Sequence, residues 1–510
     1  MNDNKEDIDL LVAGGGVAGV SAALTAARGG LKTMLLESQI SLGGLATNGY
    51  VNGIAGMIDG NCAEWLDKLE AEGALIRRPH QSCIDPEKGK LALERMLLDA
   101  GVRILYGVYV TGANVKNKII KELVGYTKGG KMTFSAGLYI DATGDADVAA
   151  YAGVPYETGG KDFNGYNMST TLAFRMANVN LVKYGEANRE WMSKNAGRKK
   201  EDYLISLLTD LEDEAVKNGD LPAFIFPTAL IYQVPGTTPD NADICVMTTH
   251  SFKTHNTDAV DITRQVIEQH RQMENMEKFF RKYAPGFGKG RITGISSLHG
   301  VRDSRRIAGE YVLKDEDVAC AKKFEDGIAR FPEFFDTHHP TSARIGFLRH
   351  IHVKEPKAPA VTRPNQCSEE MHPFGRPAGD FEARVNPLEY CEIPYRSLVP
   401  LKVDNLLVVG RCASAEFNAI AAVRVIATSM GMGQAAGIAA ALCKKNRVIP
   451  RKLDGKLVRQ TMIEQGIPLD QEPSGHWADV KKELRNGEFI VTGGDFIGVK
   501  MPDGGIKTHM

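Results

Sequence analysis

Apolar and polar positions follow two different rhythms along the chain. Residues 8–13, Ile-Asp-Leu-Leu-Val-Ala, form a nearly unbroken apolar run of strand length, the mark of a parallel strand covered on both faces. A helix is predicted over 20–28, stopped by Gly29-Gly30, and a second strand over 32–36, ending at Glu37. The pattern then predicts a helix over 91–100, a strand over 102–106, and short strands near 108–115, 119–126 and 131–135. After about residue 159 the rhythm changes. A strand is predicted over 170–176, a helix over 200–217, strands over 229–234 and 244–249, and a helix over 262–283. Ile262, Val266, Met273, Met276, Phe280 and Tyr283 share one stripe of that last helix, so its two methionines are expected in a core.

The turn between the first strand and helix reads Gly14-Gly15-Gly16-Val17-Ala18-Gly19, a GxGxxG, and Glu37 follows at the end of the next strand. In a strand–turn–helix–strand setting each part has a physical task. Gly14 makes the tight turn, Gly16 lets a diphosphate reach backbone N–H groups, and Gly19 lets helix pack on strand. The helix N-terminus attracts phosphate, and Glu37 accepts hydrogen bonds from a ribose. Three further segments share this glycine-after-strand character: Ser41-Leu42-Gly43-Gly44-Leu45-Ala46-Thr47, the strand ending in Asp141-Ala142-Thr143-Gly144-Asp145, and Asn405 through Gly410-Arg411, ahead of Gly431-Met432-Gly433-Gln434.

Together with Arg302-Asp303-Ser304-Arg305-Arg306-Ile307-Ala308-Gly309-Glu310-Tyr311, Ile393 to Leu398, Gly410 to Ser414 and Val423-Arg424-Val425, these segments resemble bacterial FAD-dependent oxidoreductases. Those have a glutathione-reductase-type FAD fold and are related to the flavoprotein subunits of succinate dehydrogenase and fumarate reductase. The resemblance spans roughly residues 7–470. It implies an α/β fold: a Rossmann-like FAD-binding domain with an inserted β-meander, and a separate α+β cap domain for substrate. The implied division is 1–156 and 391–470 for the FAD domain, 157–390 for the cap and 471–510 for a C-terminal extension. For that extension a short hairpin, a subunit contact and disorder all stay open. The implied FAD contacts are Gly14, Gly16, Val17, Ala18 and Gly19, then Glu37 and Ser38, then Gly43, Gly44, Leu45, Ala46 and Thr47. Val110 on the meander, Ala142, Thr143, Gly144, Gly410, Arg411, Arg424, Gly433 and Gln434 complete the set. The helix opening near Gly431 is expected to aim its N–H groups at the flavin. No histidine lies between Ser38 and Gly60, so FAD is expected to be non-covalent, unlike in succinate dehydrogenases.

Three groups compete for the substrate side. His338, in Asp336-Thr337-His338-His339-Pro340, titrates near working pH, with a plain loop histidine as the alternative. Arg305, with Arg302 and Arg306, is suited to a substrate carboxylate, or else to bracing FAD and domain contacts. Tyr395, beside Arg396, stands where the chain re-enters the FAD domain. His299, His350, His352 and His372 are expected to be surface or packing residues.

Composition works mainly by exclusion. The formal net charge of −1 over 510 residues gives no reason to expect nucleic acid or an anionic membrane. The 8 cysteines contain no CxxC or iron–sulfur spacing, and no metal site is expected. The start has no signal-peptide pattern, and apolar stretches are broken short of a bilayer span, so a cytoplasmic protein without membrane insertion is expected. The expected activity is hydride transfer between a small organic substrate and flavin N5. CH–CH/C=C chemistry ranks first, with CH–OH or CH–NH close behind. The alternative is a flavoprotein electron-transfer subunit working with a partner redox protein or quinone. A homo-oligomer stays open.

Overall fold

The first strand, Leu10–Ala13, lies at the centre of a five-stranded sheet ordered Leu406–Val408, Leu138–Asp141, Leu10–Ala13, Thr33–Glu37, Arg103–Tyr106. All four pairings are parallel. The four residues of the first strand are fully buried, which explains why their apolar run does not alternate. The computed structural model describes residues 7–77, 81–195, 207–222, 230–319, 322–332, 334–338, 340–341, 345–349, 390–471, 488–492, 496–500 and 506–509.

The strand order reverses at Leu10–Ala13: the next two strands lie on one side, Leu138–Asp141 and Leu406–Val408 on the other. Such a switch point opens a crevice at the carboxyl ends of the strands. The helix Val17–Arg28 covers one face, crossed by the long helix Ile426–Asn446. Small residues set that crossing, since a Cβ on Gly433 would lie 2.1 Å from Ala18 O and one on Gly437 2.6 Å from Ala22 O. Among the described residues Ile426–Asn446 is the one helix long and apolar enough to cross a membrane, and 83% of its apolar window is buried inside the protein. On the other face sits a three-stranded antiparallel meander, Tyr109–Lys116, Ile119–Thr127 and Gly130–Phe134. Its Ile120, Leu123 and Phe134 share a core with Leu11, Leu36 and Val408.

A second core lies in a four-stranded antiparallel sheet ordered Leu230–Gln233, Ala242–Met247, Phe174–Val179, Arg291–Ile295. The helices Leu181–Asn195, Leu207–Lys217 and Ala259–Tyr283 accompany it. Met273 and Met276 are buried there with Phe174, Phe279, Phe280 and Phe287, as their spacing predicts. The stripe on Ala259–Tyr283 differs from expectation at its other end. Gln265, Gln269 and Gln272 are buried there, whereas Ile262 and Val266 are only half-buried. Leu313, Val318, Ile328 and Phe331 join the first core, because the strand Gly327–Pro332 lies against the long helix. The tail forms a three-stranded antiparallel sheet, Glu488–Thr492, Phe496–Lys500 and Ile506–His509.

Asp141 ends its strand fully buried and ties down the following turn. It accepts from Thr143 N (3.0 Å), Thr143 Oγ1 (2.7 Å) and Ala149 N (2.9 Å). Burial outweighs these donors and pushes its carboxyl from 3.8 up to about 6. A value higher in the folded than in the unfolded chain means that folding favours the protonated form. This group's contribution is therefore full below the unfolded value of 3.8 and is lost as pH rises through about 6, amounting to about 3 kcal/mol. Denaturant unfolding from about pH 4 to about pH 7 should show this decline in wild type and its absence in Asp141→Asn. Equal slopes in the two proteins would refute the assignment.

Candidate functional site

At the switch point the glycines of the fingerprint divide into two kinds. A Cβ on Gly14, at φ +105°, would sit 2.3 Å from Ala142 O, and one on Gly19 would sit 1.9 Å from Gly14 O. Both are glycine because backbone meets backbone there. Gly16 is different: its φ of −65° suits any residue, and nothing among the described residues lies within 4 Å of where its Cβ would be. It caps the helix Val17–Arg28 with no side-chain partner, leaving the first-turn N–H groups facing open space. This open cradle at a helix N-terminus fits the diphosphate of a dinucleotide.

The loop after Glu37 closes over the same turn. Gly43 N donates to Gly15 O (2.8 Å), Gly16 and Gly43 form a bridge, and a Cβ on Gly44 would stand 3.0 Å from Gly16 Cα. Leu45 lies within the turn Gly44–Ala46, Ala46 is buried, and Thr47 Oγ1 donates to Leu42 O (2.5 Å). Glu37 is nearly buried and accepts from Gly15 N (2.5 Å), Gln39 N (2.7 Å) and Ser38 Oγ (3.1 Å). Its carboxylate is thus fixed beside the glycine turn. Val110 is half-buried at the start of the meander, opposite Gly125. Ala142 and Thr143 directly follow the strand Leu138–Asp141, and Gly144 packs against Arg411, whose guanidinium pairs with Asp145 (2.9 Å). Gly410, at φ +79°, begins the turn that carries Arg411 and lies over Ala18.

The C-terminal side differs from expectation in where its helix opens. The long helix begins at Ile426, capped by Val425, not near Gly431. Gly433 is spent on the helix crossing at Ala18, and Gln434 Oε1 accepts Asn61 N (3.1 Å) at the head of the helix Gly60–Ala71. The N–H groups that an acceptor meets are therefore those of the first turn, beginning at Ile426. Arg424 stands half-buried two residues before it.

The substrate-side candidates separate. Tyr395 is in the core, 1% exposed, with its hydroxyl donating to Pro450 O (2.9 Å). Arg305 pairs with Asp147 (2.8 Å), donates to Asp145 O (2.9 Å) and lies over the Tyr156 ring. It joins the run 302–306 to the turn after Leu138–Asp141, while Arg306 pairs with Asp303 (3.2 Å) and Arg302 donates to Ser169 O (2.7 Å). His338 is buried, its ring stacked on His250 with centroids 5.6 Å apart. His250 N in turn donates to Gln272 Oε1 (2.7 Å). His339, His350, His352 and His372 lie outside the described residues. Among the described residues no group of three or more His, Cys, Asp or Glu is arranged to hold a metal. Cys412 is buried, which holds its thiol well above the ordinary value.

The residue underrated by sequence is His299. Its Nε2 lies 3.2 Å from Gln269 Oε1, one turn along the helix from Gln272. Its loop is pinned to the glycine-pair loop, since Ser297 N and Leu298 N donate to Asn48 O (3.0 and 3.3 Å). Burial, then the charges of Arg411 and Arg302, lower its pKa to about 4, so the ring is neutral near pH 7. The usable signal is the Gln-x-x-x-Gln-x-x-Gln spacing at 265, 269 and 272, a polar stripe on an otherwise apolar helix face.

Two glycine variants separate the roles of cradle and crossing. Gly16→Ala should leave the thermal midpoint of the flavin-free protein unchanged and weaken FAD at least about tenfold, ~1.4 kcal/mol. Gly433→Ala should lower that midpoint by the equivalent of about 1–3 kcal/mol of overpacking. Calorimetry and flavin-fluorescence titration measure both, and unaltered FAD affinity in Gly16→Ala would reject the cradle.

Comparison with known proteins agrees with this geometry. The family model described as FAD dependent oxidoreductase matches residues 9–462. The thiamine thiazole synthase of Methanococcus vannielii is 30% identical over 157 residues, 28% of this chain, and the chain spans 59% of that relative's length. A geranylgeranyl bacteriochlorophyll reductase-like structure from Thermoplasma acidophilum is 14% identical, with 94% of this chain and 88% of that one covered and a TM-score of 0.43. The p-nitrophenol 4-monooxygenase PnpA of Pseudomonas putida is 13% identical, with 60% and 70% covered and a TM-score of 0.37. The chain belongs to the FAD dependent oxidoreductase family, and FAD is the cofactor for which its glycine cradle is built.

Proposed function

We propose that the protein moves a hydride between a small organic substrate and the flavin of non-covalently held FAD. The observation that carries this is the polar layer of buried Thr170, Gln265 and Gln269 with half-buried His299, whose loop is pinned at Asn48 just beyond Gly43–Thr47. An apolar core has no use for such a layer, whereas a substrate that must be oriented does. We also propose kinship with the glutathione-reductase type and its succinate dehydrogenase and fumarate reductase relatives, a reading supported by the strand order and the glycine-pair loop.

When bound, FAD supplies a two-electron centre that exchanges hydride. The chain's own residues do the rest. N–H groups from Val17 onward bind the diphosphate, Glu37 orients the ribose, and the helix end at Val425–Ile426 offers its positive pole to developing negative charge. Arg302 and Arg306 fasten the segment entering the second unit to the one leaving it through Ser169 O and Gly159 O (2.7 and 2.9 Å), and Arg305 ties that run to Asp147 (2.8 Å). His338 extends the layer through His250 and Gln272.

Anaerobic titration of the FAD-loaded protein with alcohols, amines, carboxylic acids and enones tests the proposal. At least one class should bleach oxidised flavin or, with pre-reduced protein, restore it. Acid denaturation should release all of the flavin into solution. Silence across every class, with an iron–sulfur or quinone-linked protein copurifying, would replace this reading by an electron-transfer subunit.

A further inference from the structure

A hydrogen-bonded run inside the second unit has a single direction. Gln269 Nε2 donates to Thr170 O (2.9 Å) and Thr170 Oγ1 (3.0 Å), so its amide oxygen is the end facing His299 Nε2, 3.2 Å away. Thr170 Oγ1 donates to Gln265 Oε1 (2.7 Å), and Gln265 Nε2 donates to Asp261 Oδ2 (3.0 Å). Every donor points toward the Asp261 carboxylate. An amide oxygen only accepts, so His299 carries its proton on Nε2 and its lone pair on Nδ1. That Nδ1 is buried and has no hydrogen-bond partner among the described residues. A buried acceptor left unsatisfied costs about 1–3 kcal/mol, and a ring locked in one tautomer by four successive partners has been oriented for something.

The charged groups around the ring support a neutral acceptor. Arg302 and Arg411 act with burial against protonation, and Asp145 and Asp261 act weakly the other way. The ring's loop hangs from Asn48 O, just beyond the loop that closes on Gly16.

We propose that His299 Nδ1 accepts a hydrogen bond from an O–H or N–H group of the substrate, which makes the substrate an alcohol or amine oxidised at the carbon bearing that group. This deepens, and rests on, the hydride-transfer reading above. A carboxylate or enone oxygen at this position would set lone pair against lone pair; a hydroxyl or amine satisfies the orphaned nitrogen. In the oxidation the carbon gives a hydride to FAD and the heteroatom gives up its proton to solvent. Gln269, Thr170 and Gln265 are positioning residues that hold the tautomer.

The test uses FAD-loaded protein, alcohols each paired with its methyl ether, primary amines, and carboxylic acids and enones as contrasting probes. An alcohol or amine should reduce the flavin, and the donor-free ether should be slower by at least about 100-fold. His299→Phe should slow reduction about 100-fold while FAD affinity and the visible flavin spectrum stay unchanged. Gln269→Glu puts a carboxylate on Nε2–H and favours the imidazolium, so the acid limb of kcat/KM should move to higher pH. Nitrogen-15 NMR of histidine-labelled wild-type holoenzyme should show the Nε2–H tautomer, independently of how any variant folds. A proton on Nδ1, reduction by His299→Phe within about threefold of wild type, or a changed spectrum or FAD affinity in that variant (the donor then being a flavin N–H) would each overturn the proposal. Reduction by carboxylic acids alone, or reoxidation of pre-reduced protein by enones with no response to alcohols or amines, would overturn it and leave hydride transfer standing. Failure of all probes would remove hydride transfer itself, and this inference with it.

Discussion

Backbone touching backbone at the carboxyl end of Leu10–Ala13 is the constraint on which the molecule depends. Gly14 lies against Ala142, Gly19 against Gly14, and Gly433 against Ala18, each at a distance that leaves no room for a Cβ. These three contacts join the first strand, the strand Leu138–Asp141 and the long helix, whose segments are separated by more than a hundred residues in the chain. Once they are made, the crevice at the switch point has fixed walls, and Gly16 is left as the glycine with open space above it. Close packing of this kind transmits small displacements because interiors are dense and unforgiving. The cradle is thus a consequence of how the layers meet, and a ligand completes it without shaping it.

The segments that enter and leave the second unit are held together by charge. Asp303 is fully buried, accepts from Asn167 Nδ2 (2.9 Å) and Met168 N (2.6 Å), and pairs with Arg306, itself 3% exposed. Arg306 also lies over the Phe417 ring. A buried pair is weak evidence for net stability, but removing one partner leaves an uncompensated charge. Such a joint therefore keeps the entering and leaving segments in one register. That matters because Arg302, three residues from His299, belongs to the same run.

Much of the nucleotide side was legible from local pattern. The buried strands, the two kinds of glycine and Glu37 all follow from short-range steric rules that survive in any tertiary context. What was not legible depended on long-range partners. The stripe Gly431–Gly437 looks like a helix opening when read locally, yet the helix begins five residues earlier and those small residues face another helix. Tyr395 and Arg305 look reactive by type, and their partners, Pro450 O and Asp147, lie 55 and 158 residues away. His338 illustrates the opposite case. It is brought into a buried stack with His250, 88 residues distant by the difference of their numbers, 338 − 250.

The glutamines of the helix Ala259–Tyr283 show why amphipathic patterns mislead at a site. Scoring apolar residues assigns the buried face to Ile262 and Val266, and the last three turns obey that rule through Met273, Met276, Phe279 and Phe280. In the preceding turns the buried positions are glutamine, because what lies opposite is Thr170, His250 and His299 and not a sheet of apolar side chains. Each glutamine supplies one donor and one acceptor at a fixed separation, so two of them in series can carry a direction of polarity through a region that excludes water. A serine or asparagine run would be too short to bridge from helix to loop. The switch from methionine and phenylalanine to glutamine along a single helical face is therefore the point at which packing for stability gives way to orientation of a ring, and it coincides with the side of the unit that faces the glycine-pair loop.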